Sequence, residues 1–176
     1  RGPYTQGHHY RVGKLASALA REMGLTDFQT EGIELAAAIY DIGMVTIPAD
    51  VLQEAERLDG LRLNLYQSYP LAAYETLKKN ECIWPIADIV RQHSECFDGS
   101  GFPRGIKGEA ILMEARILSV AHAIEDLTTH KSYRDALTMD QALEEISSQR
   151  ATQFDPNVVA ACLRLFREKN FRFGLT

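Results

Sequence analysis

Apolar residues recur along this chain at spacings of three and four, and no segment alternates as a half-buried strand would. In the first such segment, residues 8–23, one helix face collects Val12, Leu15, Leu19 and Met23. Equivalent stripes predict further helices over residues 27–41, 48–52, 60–80, 84–93, 111–128, 139–149 and 156–169. The pattern therefore predicts one all-α domain over residues 1–176, a bundle of about seven to eight helices.

Residues at the helix ends support this division. Thr138 and Asp155 are typical N-cap residues, and the proline that follows Asp155 suits a first helical position. Gly43 is typical of a glycine cap that ends the second helix. Pro70 must either kink the 60–80 segment or start a new helix there, because proline disrupts a helix interior.

Four polar residues fall on the apolar faces or at the ends of different helices: His8, Asp41, His93 and His122. Burial of such groups is costly unless they are hydrogen-bonded, ion-paired or bound to a cation. A single histidine on an apolar face is usually a hydrogen-bonded core residue. Convergence of four such residues favours a ligand site, and helical spacing alone leaves the structural alternative open.

The sequence also predicts where two neighbouring polar side chains lie. His9 lies off the apolar stripe of its helix and is expected at the surface. Glu125 follows His122 by about one turn, so it either joins the interior group or pairs with Lys131 or Arg134.

The composition is that of a folded domain, with 176 residues, 45% hydrophobic residues and a net charge of −5. The negative charge argues against broad nucleic-acid binding. No apolar run approaches the roughly 20 residues that span a bilayer. Three widely spaced cysteines, Cys82, Cys96 and Cys162, suit a reducing compartment and so a cytoplasmic location. The polar start predicts a segment cut from a longer, multidomain protein.

A glycine-rich loop follows His93 and has the sequence Asp98-Gly99-Ser100-Gly101-Phe102-Pro103. Gly99 and Gly101 permit backbone conformations that other residues avoid, and Pro103 stiffens the exit. Asp98 is expected to hydrogen-bond the backbone two residues on. Phe102 offers an apolar ring for a pocket or a protein contact. The loop is therefore a candidate interaction surface, with a purely structural loop as the alternative.

In order and spacing, the polar and glycine motifs resemble the HD-GYP family, a branch of the HD phosphohydrolase superfamily. The resemblance covers nearly the whole chain. The residues that carry it form the segments Thr5-x-x-His8-x-x-Arg11-Val12, 38–43, Ile47-Pro48, 93–95, 98–103, 115–118 and Lys131-Ser132-Tyr133-Arg134. It implies a bacterial, all-helical domain that hydrolyses cyclic di-GMP with two or three iron or manganese ions.

Several positions depart from the family pattern. The resemblance implies metal ligands at His8, Asp41 and His93, with His122 as a substituted candidate. Four family positions carry other residues: Tyr40 and Tyr69 stand for histidines, Met44 for a lysine and Ser94 for a histidine. Neutral phenols with a pKa near about 10 do not readily bind divalent metals. The leading expectation is therefore that the domain holds no cofactor. At most, we expect one divalent metal ion in a residual mononuclear site.

Two basic residues fall where the family grips the dinucleotide, namely Lys131 and Arg134. A solvated charged turn is the alternative for this pair. The leading hypothesis is a catalytically degenerate domain that acts as a regulatory or interaction module in cyclic di-GMP signalling. The alternatives are a weak metal-dependent phosphodiesterase and a nucleotide sensor that binds without cleaving. The resemblance implies partners such as diguanylate cyclase-type signalling proteins and cyclic di-GMP.

Overall fold

The computed structural model describes residues 7–53, 58–131 and 134–173, without the side chain of Gln53. Thr5, Ser132 and Tyr133, which contribute to the family resemblance, lie outside these residues. The α-helices in chain order are α1 (His8–Glu22), α2 (Asp27–Ile39), α3 (Ala49–Gln53), α4 (Gly60–Tyr66), α5 (Tyr69–Leu77), α6 (Ile86–Gln92), α7 (Met113–Thr128), α8 (Met139–Ser148) and α9 (Pro156–Arg167). The predicted all-α fold is confirmed. Within the described ranges, β structure is limited to isolated bridges.

The predicted helix starts are also confirmed by their hydrogen bonds. The side chain of Thr138 accepts from the backbone N–H of Gln141, and the side chain of Gln141 accepts from the backbone N–H of Thr138. The side chain of Asp155 accepts from the backbone N–H of Asn157 at 2.7 Å. Pro70 lies in the first turn of α5, so the 60–80 segment forms two helices rather than one kinked helix.

The core forms around α1, which packs against α2, α7 and α9. Val12, Leu15 and Leu19 are fully buried, as their shared face predicts. A second, smaller apolar cluster is built on Ile47, Val51 and Tyr69, with Met44 and Phe102 among the partly buried residues around it. This second cluster joins the start of α5 to the glycine-rich loop.

The glycine-rich loop is held in place by hydrogen bonds. Asp98 accepts from the backbone N–H of Ser100 at 2.9 Å, as expected. Gly99 has φ of 89°, in the left-handed region. The expectation for Gly101 was wrong, since its φ is not positive. A Cβ atom there would lie 2.2 Å from the backbone nitrogen of Cys96, so Gly101 is required for close backbone approach.

Gly43 also differs from its expected role as a glycine cap. It lies inside a 3₁₀ turn, Ile42–Thr46, and its φ is not positive. A Cβ atom on Gly43 would lie 1.9 Å from the carbonyl oxygen of Tyr69. The glycine therefore lets this turn pack directly on the backbone of α5. Among the described residues, no helix is both long and apolar enough to cross a membrane.

Candidate functional site

His8, the first residue of α1, is 1% exposed and has hydrogen-bond partners on both ring nitrogens. Its Nδ1 contacts the carboxylate of Glu125. A carboxylate without a proton only accepts, so Nδ1 carries the hydrogen. The hydroxyl of Tyr40 is hydrogen-bonded to Nε2 on the other side of the ring. His8 thus joins α1 to α7 and to the end of α2 through polar contacts in the interior.

Glu125 is the buried anion of this network. Its Oε1 accepts from Nε of Arg11 at 2.9 Å and from the hydroxyl of Thr129 at 3.0 Å. Burial alone would raise the pKa of Glu125, but hydrogen bonds from His8, Arg11 and Thr129 and the electrostatic interaction with His8 outweigh it and lower the pKa to about 2. The suggested pairing of Glu125 with Lys131 or Arg134 was wrong, and the interior alternative is the one observed.

His93, the residue after α6, is 3% exposed and is also engaged at both nitrogens. Nδ1 lies 2.6 Å from the carbonyl oxygen of Val90, which only accepts, so Nδ1 carries the hydrogen. The hydroxyl of Tyr69 therefore donates to Nε2 at 3.0 Å. The hydroxyl of Ser94 lies 2.9 Å from that of Tyr69 and completes the chain of contacts.

Burial shifts the pKa values of both partners in the contact between His93 and Tyr69. Burial lowers the pKa of His93 to about 4, so its ring is neutral near pH 7. Burial also raises the pKa of Tyr69 well above its usual value, so the phenol stays protonated. A neutral imidazole and a neutral phenol form a stable hydrogen bond without a cation between them.

Tyr40 is a fully buried ring that stands between the two histidine contacts. Its ring centroid lies 5.0 Å from that of His93 and 5.3 Å from that of His122. It also packs on His8, at 6.1 Å between centroids. The tyrosine therefore fills the space in which the interior faces of α1, α6 and α7 meet.

The structure brings three of the four predicted metal ligands into this one cluster. His8 and His122 have ring centroids 5.8 Å apart, and Tyr40 touches both rings and that of His93. Asp41 contacts His9, with 2.9 Å between Oδ1 and Nε2, and the His9 ring packs on those of His8 and Tyr40 at the edge of the cluster. In the parts of the chain that the structure describes, no three His, Cys, Asp or Glu side chains form a group that could hold a metal ion. The residual metal site stays a prediction.

The expectation for His9 was wrong in part. Its side chain is 37% exposed and is tied to Asp41 at the end of α2. His9 and Asp41 lie 32 positions apart in the chain, so periodicity on one helix gave no signal for the pair.

Lys131 and Arg134 face each other across an antiparallel bridge after α7. Nζ of Lys131 lies 2.7 Å from one oxygen of Asp126, and Nη2 of Arg134 lies 3.1 Å from the other. The side chain of Lys131 is only 6% exposed. The solvated-turn alternative was therefore wrong for Lys131, and the ligand-binding role of the pair stays a prediction.

Comparison with known proteins identifies the family of this chain. A family model described as an HD domain matches residues 1–158. The chain belongs to the HD domain family, in its HD-GYP branch.

Similar full-length proteins carry cyclic dinucleotide phosphodiesterase names. The HD-GYP domain is 38% identical over 156 residues to the cyclic di-GMP phosphodiesterase response regulator RpfG of Xanthomonas campestris, covering 88% of this chain and 41% of that protein. It is 30% identical over 168 residues to a cyclic di-GMP phosphodiesterase of Thermotoga maritima, covering 93% and 45%. The chain thus spans less than half the length of these relatives.

Solved structures agree on the fold of the HD-GYP domain. An HDG"Y"P protein from Bdellovibrio bacteriovorus matches with a TM-score of 0.73 at 21% identity, covering 91% of this chain and 51% of that one. A cyclic GMP-AMP-specific phosphodiesterase of Vibrio cholerae matches with a TM-score of 0.73 at 18% identity, covering 93% and 44%. At these identities the likeness supports the helical architecture alone.

Sequence reasoning missed Arg11 as a member of the buried network in this HD-GYP domain. Arg11 lies three positions after His8. Residues at this spacing share a helix face. A charged residue one turn from a predicted buried histidine was therefore an available signal.

Acid should destabilise this HD-GYP domain through His93. The folded pKa is about 4 against an ordinary 6.5, so the unfolded chain binds more protons between these values and stability falls as pH falls from 6.5 to 4. Between pH 6.5 and pH 4, the free energy of unfolding of His93→Gln should fall by up to about 3 kcal/mol less than that of wild type, as measured by urea denaturation. His130→Gln, at a 70% exposed side chain, is the control and should follow wild type. Equal pH dependence in wild type and His93→Gln would contradict the prediction.

Proposed function

We propose that this chain is a catalytically degenerate HD-GYP domain that serves as a regulatory, protein-interaction module in bacterial cyclic di-GMP signalling. One observation carries the proposal. The hydroxyls of Tyr40 and Tyr69 are hydrogen-bonded to the Nε2 atoms of His8 and His93. Each tyrosine thus sits on a ring nitrogen that a metal ion would need, and each stands where the family pattern has a histidine.

The residues present do not fit a bridged metal centre. A metal ligand must offer a lone pair, and the second nitrogen of each ring is directed to Glu125 or to the carbonyl of Val90. A bridged centre also needs several carboxylate or imidazole ligands, and neutral phenols replace two of them.

The replaced positions support one another in the interior. The hydroxyl of Tyr69 contacts that of Ser94, and both residues stand at replaced positions. Met44, a third replaced position, packs against the second apolar cluster, which includes Tyr69. Coupled replacements of this kind argue for an interior rebuilt for packing, because isolated losses would leave cavities or polar atoms without hydrogen bonds.

The relatives support the signalling context. Their names refer to cyclic di-GMP or to cyclic GMP-AMP, so a cyclic dinucleotide is the ligand class that we propose for the pathway. Diguanylate cyclase-type proteins are the proposed partners. The loop is a suitable contact surface because its backbone is fixed while Asp98, Ser100 and Arg104 are exposed.

The decisive experiment measures metal content and cyclic di-GMP hydrolysis on the same preparation. We expect no hydrolysis above the buffer blank after addition of Mn²⁺ or Fe²⁺, and much less than one metal ion per chain. The cyclic di-GMP phosphodiesterase of Thermotoga maritima, treated identically, is the positive control. Turnover similar to that control would refute the proposal.

A weak metal-dependent phosphodiesterase is the second candidate, favoured by the clustering of His8 and His122. It requires stoichiometric metal that is lost in the His93→Ala variant. Metal-free protein purified from metal-replete cells would count against this candidate and in favour of the degenerate domain.

A further inference from the structure

Asp126 makes contacts that the proposed function does not explain. It lies on α7, next to the buried Glu125, and its side chain is 32% exposed. One carboxylate oxygen contacts Nζ of Lys131 at 2.7 Å, and the other contacts Nη2 of Arg134 at 3.1 Å. Arg134 also donates to the backbone carbonyl oxygen of Asp126 at 2.7 Å. A single carboxylate therefore engages both basic residues, Lys131 and Arg134.

We infer that Asp126 is an internal competitor of phosphate, which restrains Lys131 and Arg134 and sets the affinity of the domain for a cyclic dinucleotide. This inference rests on the proposed function, because it takes the dinucleotide to be a ligand that is bound without cleavage. It identifies a residue outside the histidine and tyrosine cluster that controls ligand affinity.

Charge and tethering both support this inference. Two cations alone would present a charge of +2 to a phosphate, whereas the cluster with Asp126 presents +1. A carboxylate and a phosphate oxygen compete for the same donors, since both form charge-assisted hydrogen bonds with ammonium and guanidinium groups. Asp126 is attached to the same chain, so it competes at high effective concentration while a ligand in solution pays for its loss of freedom.

The arrangement also makes the two cations unequal. The side chain of Lys131 is 6% exposed, whereas that of Arg134 is 29% exposed. A phosphate therefore meets Arg134 first, and displacement of Asp126 from Arg134 is the step that admits it. Arg134 should contribute to ligand binding mainly after the carboxylate has been neutralised.

The test is a double-mutant cycle on the 176-residue chain, with cyclic di-GMP titrated by calorimetry in buffer with EDTA so that hydrolysis cannot interfere. Asp126→Asn keeps the side-chain shape and removes the charge. We expect it to bind at least about tenfold more tightly than wild type. Arg134→Gln should change wild-type affinity less than about threefold, but should abolish the gain in the Asp126→Asn background.

Several outcomes would overturn the inference. These are equal affinity of wild type and a folded Asp126→Asn, no binding by either protein, and a tenfold loss on Arg134→Gln in wild type. If Asp126→Asn does not fold, the measurement on Arg134→Gln in the wild-type background still tests the inference. A tenfold loss of affinity there would show that Arg134 already binds the ligand while Asp126 is present. Hydrolysis is measured separately with added metal, so turnover there would refute the proposed function without changing these affinities.

Discussion

Replacement of Gly43 by alanine is expected to lower the free energy of unfolding by more than about 3 kcal/mol, measured by urea denaturation. The added Cβ atom would lie 1.9 Å from the carbonyl oxygen of Tyr69 and 2.9 Å from the backbone nitrogen of Ala73. Both atoms belong to the backbone of α5, so no side chain can rotate away to make room. The 3₁₀ turn and α5 would have to separate.

The same substitution should also disturb the candidate site. Tyr69 begins α5, and its hydroxyl donates to His93. A shift of α5 away from Gly43 would move this hydroxyl, so the His93 ring should show altered NMR chemical shifts in any Gly43→Ala protein that still folds.

Gly13→Ala is the matched control for this prediction. Gly13 lies inside α1, where a Cβ atom would meet the Cβ of Ala37 at 3.6 Å, an ordinary contact distance. Alanine favours a helix interior over glycine by about 0.5–1 kcal/mol, so this variant should be slightly more stable than wild type. Similar stabilities for the two alanine variants would contradict the steric explanation for Gly43.

The fold could be predicted from the sequence because its main signals are local. The stripe of Val12, Leu15 and Leu19 defines the buried face of α1 within three turns. The capping residues Thr138 and Asp155 act on amides two or three positions away. Pro70 left two alternatives open, a kink or a new helix, and the structure has two helices.

The partners within the site could not be predicted in the same way. Helical spacing placed His8 and His93 in the interior, and both are buried. The contact between His8 and Glu125 joins residues 117 positions apart, and that between His8 and Tyr40 joins residues 32 apart. Such pairs depend on how helices pack, which periodicity along one helix does not encode.

Glu125→Gln is expected to destabilise the domain by about 3 kcal/mol at pH 7, as measured by urea unfolding. The carboxylate neutralises Arg11 and accepts from Nδ1 of His8, and a neutral amide can do neither as well. The pKa of Glu125 is about 2 in the folded chain, against an ordinary value of 4.5. Its stabilising contribution is therefore complete above pH 4.5 and is lost as pH falls toward 2.

An exposed pair provides the control for this prediction. Glu75 contacts Nζ of Lys78 at 2.6 Å, and both side chains are more than two-fifths exposed. Solvent screens such pairs, so Glu75→Gln should change stability by less than about 0.5 kcal/mol. The difference between wild type and Glu125→Gln should also narrow below pH 4.5, because protonation makes the glutamate neutral as well.

A second variant separates the loss of a favourable contact from the burden of an uncompensated charge. Arg11→Met in the Glu125→Gln background removes the guanidinium that the carboxylate had neutralised. If the uncompensated charge of Arg11 dominates the cost, the double variant should recover at least about 1 kcal/mol of the loss, because buried ion pairs are often replaced by apolar groups at little cost. If the losses of stability in the two single variants instead add up in the double variant, Arg11 and Glu125 act independently. The stabilising role would then fall to the contact between Glu125 and His8.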